Sequence, residues 1–132
     1  MAFGTGQVLT NAVRAILTNR IIGAGTEPKF CAMGYGATGA ARTAAAADTA
    51  LSTETGDTRS STGGTRVTGS VANDTHQVTG TVTLAGATSR AIDEAAVFDA
   101  ITTGNMYLSA TFSVINLNQN DSIAFTWQLK FT

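Results

Sequence analysis

One histidine, one cysteine and a short acidic run are the residues of this 132-residue chain best suited to chemistry. His76 could serve as a general base or a metal ligand, and either role needs an oriented partner within hydrogen-bond reach. Its neighbours Asp74 and Thr75 flank a turn, so the expected position is a solvent-facing one at a hairpin end. Cys31 could form a nucleophilic pair with His76. It lies among Phe30, Ala32 and Met33, however, which is the setting of a core thiol. As the only cysteine it excludes an internal disulfide and a zinc site built from several thiolates. Asp93, Glu94 and Asp99 are the densest carboxylates. Calcium takes about six to eight oxygens, usually from a glycine-bearing loop, whereas Ile92 and the run 95–98 read as a strand. None of these groups is assigned a catalytic, cofactor-binding or metal-binding role.

Gly34, Gly36 and Gly39 give a formal G-x-G-x-x-G after a strand. Phosphate binding by such a loop requires a helix and a βαβ unit to follow, and an Ala/Thr-rich stretch follows instead. No Walker lysine, Ser-x-x-Lys or nucleophile-elbow motif is present. Most aromatic residues fall on apolar strand faces and are expected in the core. Tyr35 and Tyr107 are the two whose placement stays open.

The elements that would position these groups are mostly strands. In the closing stretch 121–131, Ile123, Phe125, Trp127, Leu129 and Phe131 alternate with Ala124, Thr126, Gln128 and Lys130. Alternate side chains point to opposite faces, so this is a half-buried strand with a heavy apolar face. Met106, Leu108, Ala110, Phe112 and Val114 alternate in the same way with Tyr107, Ser109, Thr111 and Ser113. Pro28 precedes a short strand, 29–35, apolar on both faces. Residues 66–72 and 75–84 form a hairpin around Asn73-Asp74, and 92–98 is a less regular strand. Strands recurring about every 10 residues with turn signals between them predict an all-β chain, a jelly-roll-like β-sandwich. A helix is predicted over 6–20 from Val8, Leu9, Val13, Ile16 and Leu17, closed by Arg20, with Asn11 as an alternative cap of a shorter helix. Residues 36–64, low in large apolar groups, are read as an extended arm or loop with Leu51 as its one sizeable anchor.

The length fits one domain, 1–132. Charged residues make up 13 %, about half the ~25 % of a soluble domain. A surface so low in charge suits a protein that works packed against neighbours. The net charge of −1 with two lysines leaves no basic patch, so nucleic acid is not an expected partner. No apolar run approaches the ~20 residues of a membrane span, and the first residues lack the pattern of a signal peptide. Synthesis in a cytoplasm is the expectation.

Several blocks carry a resemblance. They are Leu9-Thr10-Asn11-Ala12, Gly23-Ala24-Gly25-Thr26-Glu27-Pro28-Lys29-Phe30, and Ala47-Asp48-Thr49-Ala50-Leu51-Ser52-Thr53-Glu54. Ala91-Ile92-Asp93-Glu94-Ala95-Ala96-Val97-Phe98-Asp99, Phe112-Ser113-Val114-Ile115-Asn116-Leu117 and Asp121-Ser122-Ile123-Ala124-Phe125 belong with them. Together they resemble a family of small tailed-bacteriophage virion proteins. Some members are capsid cement or decoration proteins and others are tail-associated. The resemblance implies a jelly-roll β-sandwich that sits, as an oligomer, over junctions between major capsid proteins. Its partners would be the major capsid protein and copies of itself, a dimer or trimer, on the virion surface. The arm 36–64 and the amino-terminal segment are the expected contact elements, and removing 36–49 is expected to leave the sandwich folded. A tail or baseplate adaptor is the alternative within the virion. A sugar-binding lectin or small hydrolase is the alternative outside it.

Overall fold

The computed structural model describes the backbone of residues 2–3 and all of residues 7–37 and 42–132. Gly39 of the glycine motif, residue 6 of the predicted helix and part of the 36–64 arm lie outside them. The elements in chain order are β1 (Ala2–Phe3), β2 (Gln7–Leu9), α1 (Val13–Ile21), β3 (Phe30–Tyr35), β4 (Ser60–Ser61) and β5 (Gly64–Val67). Then follow β6 (Thr75–Thr83), β7 (Ser89–Phe98), β8 (Met106–Asn118) and β9 (Ser122–Lys130). The chain is mostly β, as its alternating pattern predicts. The pairing is nested: β1 pairs with β9, β2 with β8, β3 with β7 and β5 with β6, all antiparallel. Further pairing of β9 with β6 and of β8 with β7 closes two antiparallel sheets. Their strand orders are β1-β9-β6-β5 and β2-β8-β7-β3-β4.

Both sheets feed one core. Cys31, Met33, Ala95, Val97 and Leu108 of the five-stranded sheet belong to the same buried cluster as Val78, Val82, Trp127 and Leu129 of the four-stranded one. The sheets come close enough that a Cβ on Gly80 would lie 2.7 Å from the Cys31 sulfur, so the glycine in the middle of β6 is what admits β3. On β9 the alternation holds as far as Leu129, while Phe131 lies beyond the strand and is exposed.

On β8 the alternation is interrupted. Leu108 and Tyr107 both face the inner core, and Met106 joins a second cluster on the outer face with Ala32, Ala96 and Phe98. The register shift between Val97 and Phe98 causes this, because a bulge turns two successive residues toward one side. Val114, expected inside, is exposed.

The predicted 6–20 helix is corrected to nine residues. Residues 7–9 pair with Ala110, Ser109 and Leu108 as a strand, and buried Thr10 ends them by donating its hydroxyl to the Met106 carbonyl. The helix is capped at Ala12, without a side-chain hydrogen bond, and not at Asn11. The 66–84 hairpin forms, but its loop is seven residues, 68–74, rather than an Asn-Asp two-residue turn. The Asp74 carboxylate organises it by accepting from the N–H groups of Gly69, Ser70 and Val71 at 2.6, 2.8 and 2.9 Å.

The arm is not a free extension. Its described part lies on the chain's own five-stranded sheet. Leu51 covers the outer cluster, and residues 53–55 bond to the edge of β3, with Tyr35 N–H donating to the Thr53 carbonyl at 2.9 Å. A buried charge fixes it there. Glu94, 1 % exposed, faces outward from the middle of β7. Arg42 of the arm donates to it at 2.5 Å, bonds Asp48 at 2.7 Å, and also donates to Ser52. The Thr53 N–H supplies a further bond at 3.2 Å. Gly34 leaves the space, since a Cβ there would lie 2.8 Å from Glu94 Oε1. Burial raises the Glu94 pKa above its ordinary value, and the Thr53 N–H and the Arg42 guanidinium pull it back only in part.

Removal of 36–49 therefore takes away both charged arm residues of this network, and the two-sheet fold is not expected to tolerate it. Replacing Arg42 by alanine strands a buried carboxylate, which costs about 2–3 kcal/mol, below the ~3–5 of a fully enclosed pair because Arg42 is partly exposed. A raised folded-state pKa means that stability is present at low pH and lost as pH rises. Arg42→Ala should therefore lower the melting temperature more at pH 8 than at pH 4, where Glu94 carries its own proton. Equal losses at both pH values would show that the pair is not the anchor.

Candidate functional site

The structure separates the candidate groups rather than assembling them. His76, near the start of β6, is half-buried and not solvent-facing. Its ring meets Tyr107 edge to face at 5.9 Å, and the Tyr107 hydroxyl lies 3.4 Å from Nδ1. Its Nε2 is 3.8 Å from Glu27, which Lys29 also approaches at 3.7 Å. The hydrophobic alternation of β6 could not reveal this contact, because Tyr107 turns inward only through the bulge on β8.

Burial holds His76 below its ordinary pKa against the opposing pull of Glu27. The neutral ring can accept from Tyr107 at Nδ1 and direct its Nε2 proton toward Glu27. A cavity of about 300 Å³ walled by Leu17, Pro28 and Phe131 adjoins the three groups. Tyr107 is 1 % exposed, and burial pushes its phenol above the ordinary value. Glu27 is already bonded by the Gly64 N–H at 2.9 Å. A buried phenol that resists ionisation is poorly suited to attack a substrate, and the trio acts as a packed polar joint between β6, β8 and the segment linking α1 to β3.

Cys31 is fully buried, as its neighbours imply, and desolvation pushes its thiol up to about 12. Asp93 and Glu94 are both buried and accept from different parts of the chain, Asp93 from the Ala37 N–H at 3.1 Å. Asp99 closes its own loop through Asn105 at 2.6 and 2.9 Å. Among the described residues no group of three His, Cys, Asp or Glu side chains is placed to hold a metal ion. Gly34 makes room for Glu94, and Gly36 has a φ of 92°. Tyr35 lies under Arg90, at 5.1 Å.

Arg59 had no distinguishing signal in its polar stretch. Its guanidinium grips Glu54 through two 2.8 Å bonds, donates to the Ala100 and Thr103 carbonyls, and lies 3.6 Å over Phe98. Four of its five N–H donors are used internally, so this arginine ties the arm to the loop after β7.

Among the described residues, a margin without a covering element lies where β8 and β9 border a cleft of about 310 Å³. Gln7, Phe112, Ile115, Ile123, Phe125 and Trp127 line it. The Phe112, Phe125 and Trp127 rings follow one another at 6.4 and 6.2 Å. Beyond Ala110, β8 pairs only with β7, and up to Gln128 β9 pairs only with β6, among the described residues. Val114 and Ile115 are 46 % and 42 % exposed, and neither strand carries a charge along these stretches. Trp127 is buried with only the Cys31 thiol beside its indole N–H, and Gln7 Oε1 is buried without a hydrogen bond. The Cys31 thiol beside the indole is only a weak acceptor.

Comparison with protein-family models, curated proteins and solved structures returns no match for this chain. Among the described residues no helix is long and apolar enough to cross a membrane.

His76 gives a direct check on the buried joint. A depressed folded-state pKa makes the unfolded chain bind more protons, so its contribution is present above the unfolded value of about 6.5 and lost as pH falls. The melting temperature should drop between pH 7 and pH 5, and His76→Gln should flatten that drop. An unchanged slope would place the imidazole in solvent.

Proposed function

We propose that this protein is a tailed-bacteriophage capsid cement, or decoration, protein, a jelly-roll-like sandwich that binds the outer head surface and stabilises contacts between major capsid proteins. The observation that carries the reading is the uncharged, apolar margin formed by β8 and β9. Val114 and Ile115 stand exposed beside a cleft to which the described residues supply no covering element. Contiguous apolar surface of this kind marks sites of association. The nested pairing supports the jelly-roll description, since the first strands lie against the last and the ribbon folds into two sheets.

Cementing of this kind is mechanical. A protein that binds the assembled lattice and not the free subunits stabilises the lattice by mass action, by about 2.7 kcal/mol per site at 100 times Kd. A homo-oligomer spanning several subunits gains further through effective concentration. The partners are the major capsid protein and further copies of the chain.

Quantitative mass spectrometry of purified particles tests this. A cement protein is present in hundreds of copies per head and raises the temperature at which heads burst. A copy number in the tens would place the chain in the tail or baseplate. Absence from mature particles would overturn the reading.

A further inference from the structure

We propose that the carboxyl end of α1 is a self-association surface, through which two copies of the chain pair about a two-fold axis, each inserting Ile21 into the cavity walled by Leu17, Pro28 and Phe131 of the other. This names the contact behind the homo-oligomer proposed above and rests on that reading.

The first observation is an apolar projection. Ile21 and Ile22 are 84 % and 72 % exposed, more than any other large apolar side chain among the described residues. Leu17 and Ile21 are one turn apart and share a helix face. Leu17 is half-buried and lines the cavity, and Ile21 carries the same apolar stripe out into solvent.

The second observation is the socket. The cavity, of about 300 Å³, lies beside that stripe, and Phe131, another of its walls, is itself 47 % exposed. Projection and socket therefore belong to one surface. A surface that carries both is completed by a two-fold copy of itself, because each contact is then made twice.

The third observation is charge. Arg20 and Glu27 line the same cavity yet form no ion pair with each other. Arg20 donates to the Gly25 carbonyl at 2.9 Å. Glu27 uses Oε1 for the Gly64 N–H at 2.9 Å, and its Oε2 has only the Lys29 ammonium at 3.7 Å, beyond hydrogen-bond reach. A two-fold axis at the cavity mouth sets Arg20 of each copy against Glu27 of the other, giving two equivalent pairs. Such pairs fix the orientation, while the apolar contact supplies the affinity. The chain thus carries its own complement, which an unrelated occupant would have to supply afresh.

The pairing leaves the β8–β9 margin open. Tyr107 lines this cavity and Phe112 the other cleft, which places them about 17 Å apart along β8. A dimer so formed presents two margins to a lattice, and the second binds at the raised effective concentration set by the first.

Sedimentation equilibrium of the full chain measures the association. A reversible monomer–dimer equilibrium is expected. Ile21→Lys, at a site already in water, should raise the dimer dissociation constant at least tenfold with the far-ultraviolet circular dichroism unchanged. Arg20→Glu should do the same by setting like charges opposite each other, and so should Glu27→Lys. Mixed in equal amounts, the Arg20→Glu and Glu27→Lys chains should pair at least tenfold more tightly than either does alone, since one brings two carboxylates and the other two cations. Should Glu27→Lys fail to fold, the Ile21→Lys and Arg20→Glu chains decide. A chain that stays monomeric or forms a trimer, or a dimer that Ile21→Lys leaves unchanged, would overturn the proposal. So would folded charge variants with no preference for each other. The measurement uses no phage particles. Monomers that still coat heads would sink this interface alone, and a dimer missing from mature particles would sink the cement reading alone.

Discussion

Seven consecutive residues of β7, Ile92 to Phe98, are buried. A strand alternates its faces, so such a run demands cover on both sides. The four-stranded sheet supplies one layer. The arm supplies the other, held by Leu51 and by the Arg42–Glu94 contact, with Arg59 fastening it to the next loop. The placement of the arm, the need for glycine at position 34 and the burial of two carboxylates in mid-strand all follow from that double burial.

The same constraint accounts for the fate of the reactive groups. Cys31 faces the inner layer, Glu94 the outer one, and His76 closes one end of the core against Tyr107. Each is engaged in holding layers together. The margin beyond Ala110 and before Leu129 is different, because neither α1 nor the described part of the arm lines its cleft. There, among the described residues, exposed apolar side chains stand beside strand edges that no other described strand pairs.

Much of this was legible from the residues. The period-two patterns of β8 and β9 and the core position of Cys31 follow from side-chain alternation and from apolar neighbours. The misread parts have physical causes. A strand buried on both faces shows no alternation, so β7 looked irregular when it is the most enclosed. Val8 and Leu9 fit a helical face as well as a strand, and only pairing with β8 decides between them. One bulge turns Tyr107 inward, and the contact with it leaves His76 half-buried rather than in solvent. Leu51 was legible as an anchor of the arm, but Glu94, which also holds it, lies about 50 positions away, a distance no local pattern spans.

Adhesion through the β8–β9 margin, with the arm already committed to its own sheet, is the central claim. Hydrogen exchange read by mass spectrometry, on the protein free and bound to expanded phage heads, tests it most directly. Binding should slow exchange in 111–118 and 122–128 and leave the arm residues 42–54 unchanged. Protection confined to the arm, with both strand edges exchanging as before, would contradict it.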